Sequence, residues 1–253
     1  MTTQTQPKQL PGVWELIVDS WHFFTSTWNT TIKVSIFFLY AGLAIFLATL
    51  LLRSGHGFLF IFFMQLLVLI VVSILLTWAI IRLTWLMLRL DENKKPMDAK
   101  EGKSLAWKLL FPYFWIYIII NLVTFGGFIL LIIPGIYFTI ALSMSAIFLV
   151  DKGYRGFQTL AASEVLIKDR WWPIFWRFIA GGSIFGTLIM AAFAVLTFIV
   201  SLVTGPEFFM DVEEYALLPY GVEQFLQLAT LAVFMPLMVG FHVKVYRALQ
   251  ATR

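Results

Sequence analysis

Phe58 to Leu90 reads FLFIFFMQLLVLIVVSILLTWAIIRLTWLMLRL, and its only charges are Arg82 and Arg89. A bilayer core needs about 20 apolar residues of helix to be crossed. The stretch exceeds that, so a span over 58–80 is predicted, with the end bearing Arg82 and Arg89 protruding. The whole chain shares this character: of 253 residues, 60% are hydrophobic and 13% charged, and the mean hydropathy is +0.88. Soluble domains carry about 25% charged residues. The solvent that suits this composition is lipid. There is no cysteine, which excludes disulfides, thiol catalysis and cysteine-ligated metals. The pI near 9.3 comes from bases flanking apolar runs, where they set orientation and meet anionic lipid, so no nucleic-acid partner is implied.

Working outward, the pattern predicts an all-α, polytopic protein with one integral membrane domain over 13–253, after a disordered polar tail at 1–12. The other spans are expected at about 33–52, 109–131, 134–150, 173–203 and 221–245. Only Ile132 and Ile133 separate the third and fourth. Pro134 suits a first helical turn, and Gly135 permits a close-packed hairpin. Two amphipathic segments stand apart from the spans. In 14–28, Trp14, Ile17, Val18, Trp21, Phe24 and Trp28 share a face opposite Glu15, Asp19, His22, Ser26 and Asn29. This reads as an interfacial helix or as a helix packed on its own protein. A second such helix is expected at 155–170, with Phe157, Leu160, Ala161 and Val165 on its apolar side. A weak similarity between Leu16–Trp21 and Leu166–Trp171 predicts three repeats of interfacial helix plus hairpin, with Ser104–Trp107 as the third copy.

Basic residues accumulate beside the cytoplasmic loops of membrane proteins. Six spans with both termini cytoplasmic put 17 of the 18 Lys and Arg inside, leaving only Arg53 outside. The acids do not follow: nine fall inside and five outside, so net charge is about +8 inside and −4 outside. All ten tryptophans sit near the same side. That is an inner-leaflet belt, or a consequence of short outer loops. The expected location is a bacterial cytoplasmic (inner) membrane.

The spans lack a central acid, base or histidine, which argues against coupling to protons or sodium through buried carboxylates. Gln65, Ser73, Thr77, Asn121, Thr124, Thr139 and Ser143 read first as interhelical hydrogen-bonding groups. His22, His56 and His242 are isolated, and no metalloprotease, phosphate-loop or serine-hydrolase motif is present. No catalytic residue, cofactor or metal is expected.

One stretch carries a resemblance. Gly127–Ile136, GFILLIIPGI, is followed by Asp151-Lys152-Gly153, Ala161-Ala162-Ser163 and Lys168-Asp169-Arg170-Trp171-Trp172. It resembles the L-x-x-P-G-I hairpin of a bacterial family of uncharacterised six-span inner-membrane proteins. That family is similar to the membrane domain attached to some glycerophosphoryl diester phosphodiesterases. The resemblance covers about fifty residues and implies a six-span bundle. It implies no catalytic residue, because the phosphodiesterase chemistry belongs to a separate soluble domain. Relatives often carry a base after the start of the fourth span, whereas Thr139 to Ser145 is uncharged here.

Pro134, Gly135 and Asp151 are therefore expected to be structural. Arg155, Lys168, Arg170 and Arg177, with Trp171, Trp172 and Trp176, are expected to dock anionic inner-leaflet head groups, or to act as orientation signals alone. The expected function is a non-enzymatic, lipid-interacting membrane component working on its cytoplasmic face, with membrane lipids as partners. The alternatives are a transporter or channel subunit for a small neutral or amphipathic solute, with a cavity lined by Gln65, Asn121 and Thr139, and a lipid-interface enzyme in which His22 or His242 meets carboxylates.

Overall fold

The computed structural model describes residues 10–52, 57–92, 94, 99–209 and 217–252, and is helical with no strand among them. Its elements are α1 (Val13–Leu52), α2 (Phe58–Asp91), α3 (Ala99–Leu130), α4 (Ile132–Ala141), α5 (Ser145–Lys152), α6 (Phe157–Ile167), α7 (Trp171–Thr204) and α8 (Leu217–Ala251). Single 3₁₀ turns occupy Lys168–Arg170 and Pro206–Phe209. Six helical segments are long and apolar enough to cross a membrane, which makes this a multi-pass membrane protein. Arg53, His56 and most of the expected N-terminal tail lie outside the described residues.

The segment at 14–28 and the first span are not separate elements. They form one continuous helix of 40 residues, α1. At 1.5 Å per residue it is about 60 Å long, roughly twice the hydrocarbon thickness. The physical reason is local: no proline or glycine interrupts residues 13–41. Its hydroxyls also fold back on their own helix. Ser20 donates to Leu16 O at 2.6 Å, Thr27 to Phe23 O at 2.6 Å and Thr31 to Thr27 O at 3.1 Å. Protein covers the apolar face only in part: Ile17 and Phe24, with Leu16 beside them, join the core, while Trp14 and Trp21 stay exposed.

Helix α8 is the hub. It runs antiparallel to α1, with Phe23 against Gly240, Phe225 and Leu228 against Gly42, and Thr49 against Gly221. It also packs on α2 and α7. Small residues at these crossings let the backbones approach, which matters in lipid because packing, rather than water exclusion, drives helix association there.

The fourth span departs from a simple helix. It stops at Ala141, turns through Leu142–Met144, and resumes as α5. In hydrocarbon a freed backbone group has no water to bond, so the break must be satisfied from within the protein. Ser163 of α6 does this. Its Oγ donates to Ala141 O at 2.7 Å and accepts from Met144 N–H at 3.1 Å, and its side chain is fully buried. Short turn bonds, Ser143 N–H to Ile140 O and Ser145 N–H to Leu142 O, bridge the break as well.

The hairpin before it turns at Leu131, and Ile132 and Ile133, expected as the connection, already belong to α4. Leu131 alone separates α3 from α4, and Pro134 sits in α4's first turn. A Cβ on Gly127 would lie 3.0 Å from Gly135 Cα, and one on Gly135 would lie 2.4 Å from the Phe128 ring. At the far end, Gly153 ends α5 with φ +70°, the left-handed conformation that glycine adopts without strain.

Ser163→Ala should leave Ala141 O and Met144 N–H without partners. The expected loss is about 1–3 kcal/mol, read as a lower thermal midpoint of the purified protein in detergent, with helix content unchanged in the folded state. A midpoint equal to wild type would show that the break is satisfied some other way.

Candidate functional site

The charged ends of α2, α5 and α8 meet at one end of the bundle, and Arg247 is their centre. Its Nη2 lies 2.6 Å from Glu92 Oε1 and 3.4 Å from Asp151 Oδ1, and its Nε is 3.8 Å from Asp91 Oδ2. Lys244, one helical turn earlier on α8, pairs with Asp91 at 2.7 Å. Tyr246 donates its hydroxyl to Asp151 Oδ2 at 2.8 Å and accepts from Gln250 Nε2 at 2.7 Å. Asp91 and Asp151 are only 13% and 11% exposed, so these pairs are less screened than surface pairs and tie three helices together. Asp151 thus ties α5 to α8. Nothing in the sequence singled out Arg247, Tyr246 or Gln250. The available signal was spacing: Lys244 and Arg247, and Tyr246 and Gln250, recur at i, i+3 and i, i+4.

Beside this clamp lies a cleft of about 660 Å³, lined by the last turns of α2, the first turns of α3 and the end of α5. Its walls carry Arg89, Lys94, Lys108 and Lys152 against Glu92, Glu101 and Asp151. Each acid is already engaged: Glu101 by Arg89 at 3.8 Å, Glu92 by Lys94 and Arg247, and Asp151 by Lys152 at 3.2 Å as well as Arg247. The Glu92 carboxyl is held below the ordinary carboxylate range, chiefly by its hydrogen bond with Lys94; burial opposes this, and the field of Arg247 adds to the lowering.

The seven residues expected to dock head groups divide into two sets. Arg170 turns inward: its guanidinium donates to Leu249 O and to both the hydroxyl and carbonyl of Thr252, capping the end of α8. Arg177 donates to the carbonyls of Leu10 and Pro11, holding the segment before α1, and to Pro173 O on its own helix. Trp171 is half-buried, stacks on Tyr137 and Phe175, and donates Nε1–H to Tyr137 O at 3.2 Å. These three belong to the fold and are not exposed docking groups. Arg155, Lys168, Trp172 and Trp176 are exposed.

Helix α6 explains the exposed set. One face is buried through Thr159, Leu160, Ser163, Leu166 and Ile167. The opposite face presents Phe157 at 72% and Val165 at 53% exposure, with Ala161 between them. Leu160 thus lies inside, away from the apolar side on which it was expected.

Inside the bundle, Asn121 and Thr139 come together at one cavity of about 490 Å³, which also meets Tyr113, Thr124, Ser143 and His242. Gln65 does not join them; it lines a separate hollow with Tyr220 and Gln224. His242 meets no carboxylate: its Nδ1 donates to Met238 O at 2.8 Å and its ring lies against Phe178 and Phe241. His22 and Asp19 share a shallow surface hollow with Lys244. No family model, curated protein or solved structure matches this chain.

Arg247→Met should leave Asp91, Glu92 and Asp151 facing one another. Removing one partner of a fully buried pair costs about 3–5 kcal/mol, and partial exposure lowers the expectation here to roughly 1–3 kcal/mol. The depressed Glu92 pKa contributes stability that is present at neutral pH and lost as pH falls through the carboxylate range. The thermal midpoint of the wild type should therefore fall on acidification, and that of Arg247→Met should fall less.

Proposed function

We propose that this protein is a non-enzymatic component of a bacterial cytoplasmic membrane, with both termini cytoplasmic, that engages anionic lipid on the inner leaflet. The observation that carries this reading is the two-faced α6. Its inner face is fastened to the broken span by Ser163, while its outer face exposes Phe157 and Val165. An apolar stripe of this kind, flanked by Arg155, Lys168, Trp172 and Trp176, suits the boundary between head groups and acyl chains. The distribution of charge supports the side: 17 of 18 bases fall on the cytoplasmic side of the topology.

The division of the basic residues sharpens the mechanism. Arg155 and Lys168 face outward and are available to phosphate, each contributing about 1 kcal/mol near an anionic surface. Trp172 and Trp176 place amphipathic rings at the interface. Arg170 and Arg177 act indirectly, by fixing α8 and the segment before α1.

Native mass spectrometry after extraction from phosphatidylglycerol-containing membranes tests this reading. Arg155→Ala with Lys168→Ala should reduce retained phosphatidylglycerol by about an order of magnitude at an unchanged thermal midpoint. Arg170→Ala should lower the midpoint by loosening α8. Unchanged lipid retention in the double variant would contradict the proposal.

A further inference from the structure

The cavity that gathers Asn121 and Thr139 has two properties that together define a ligand. The first is the absence of charge: among the described residues no Asp, Glu, Lys or Arg lines it, in a bundle segment bounded by α2, α3, α4, α5, α7 and α8. A charged head group placed there would lose its hydration without a counter-ion, at a cost of many kcal/mol. The second is unspent hydrogen-bonding capacity. Tyr113 is 8% exposed and lines the cavity with its ring stacked on Tyr117, and no hydrogen bond of its hydroxyl is seen among the described residues. Thr124 Oγ1 is itself buried and without a hydrogen-bond partner among the described residues. A buried hydroxyl without a partner costs about 1–3 kcal/mol, and in native proteins such groups call for an explanation.

The remaining polar groups are complementary. A carbonyl can only accept, so the bond from His242 to Met238 O fixes the proton on Nδ1 and leaves Nε2 of the neutral ring as an acceptor. Asn121 spends one N–H on Tyr117 O at 2.8 Å, and Thr139 spends its proton on Gly135 O at 2.8 Å, so both keep acceptor oxygens. Two hydroxyls and several acceptors thus converge on an uncharged space whose remaining walls, Thr84, Ser143 and Tyr117 apart, are aliphatic and methionine side chains. A group that both donates and accepts, a hydroxyl, satisfies both sets; an alkane satisfies neither, and a phosphate meets no cation. Asn121, Thr139 and Tyr117 are exposed, so the space is open to a ligand and not sealed.

We infer that this cavity binds a neutral lipid bearing a free hydroxyl, of the diacylglycerol class. It is separate from the outer face of α6 and stands whether or not that face binds anionic lipid. The hydroxyl of the ligand bonds Tyr113 and Thr124, and its chains lie along the apolar wall formed by α7 and α8.

The test is a titration of purified protein with 1,2-dioctanoylglycerol, followed by native mass spectrometry. Its comparison probes are the 3-acetyl ester of the same lipid and dioctanoyl phosphatidylglycerol. Wild type should bind dioctanoylglycerol saturably and at least fivefold more tightly than either comparison lipid. Tyr113→Phe and Thr124→Val, which keep shape and remove a hydroxyl, should each weaken it about three- to tenfold. Ala146→Phe, which fills the cavity, should abolish it. Should Ala146→Phe fail to fold, the two shape-preserving variants decide alone. Absence of saturable binding, equal binding of the acetyl ester, or insensitivity to both Tyr113→Phe and Thr124→Val would each overturn the inference.

Discussion

A helix interrupted inside hydrocarbon must have its freed backbone groups bonded by the protein itself. The fourth span of this chain is interrupted at Leu142–Met144, and much of the architecture at one end of the bundle follows from how that debt is met. Ser163 supplies one donor and one acceptor from α6, so α6 cannot drift along the surface; it is fastened at a single depth. That position requires the chain to reverse between α5 and α6, which Gly153 permits with its left-handed backbone. It also brings the start of α7 back over α4, where Trp171 donates to Tyr137 O and stacks on the same residue.

The second organising feature is the clamp around Arg247. Helix α8 enters it with Lys244, Tyr246, Arg247 and Gln250, and receives α2 through Asp91 and Glu92 and α5 through Asp151. The last turn of α8 is then capped from outside by Arg170. All of these connections cross between elements distant in sequence, so the clamp joins helices that no short loop connects. The α1–α8 seam, with small residues at its crossings, does the same along the length of the bundle.

The fold class was legible in the sequence because lipid imposes a crude and strong rule: long apolar helices or nothing. The tight hairpin at Pro134-Gly135 was legible too, because a close approach demands particular residues. Less legible was anything decided by tertiary partners. The segment 14–28 has an amphipathic face, and periodicity alone does not tell whether lipid or protein covers it; its continuity with the span follows from the absence of helix breakers before Gly42. The break after Ala141 carries no proline or glycine, and became visible only with Ser163 beside it. Charge counting treated Arg170, Arg177, Lys244 and Arg247 as equivalent. The structure separates them by what their guanidinium or ammonium groups touch, and gives each a structural role. Gly135 lies within α4, Ser163 and Trp171 bond to its end and its middle, and Asp151 lies in its continuation α5.

The proposed lipid engagement depends on α6 lying in the membrane interface with Phe157 and Val165 turned toward acyl chains. The chain has no cysteine, so a single introduced one gives a unique label. The most direct measurement is the depth of a nitroxide spin label on Val165→Cys in phosphatidylglycerol-containing vesicles, read from its relative accessibility to oxygen and to a water-soluble nickel chelate. The account predicts collisions dominated by oxygen, at a depth just below the phosphates. Dominance by the nickel chelate, as for a residue in water, would contradict it.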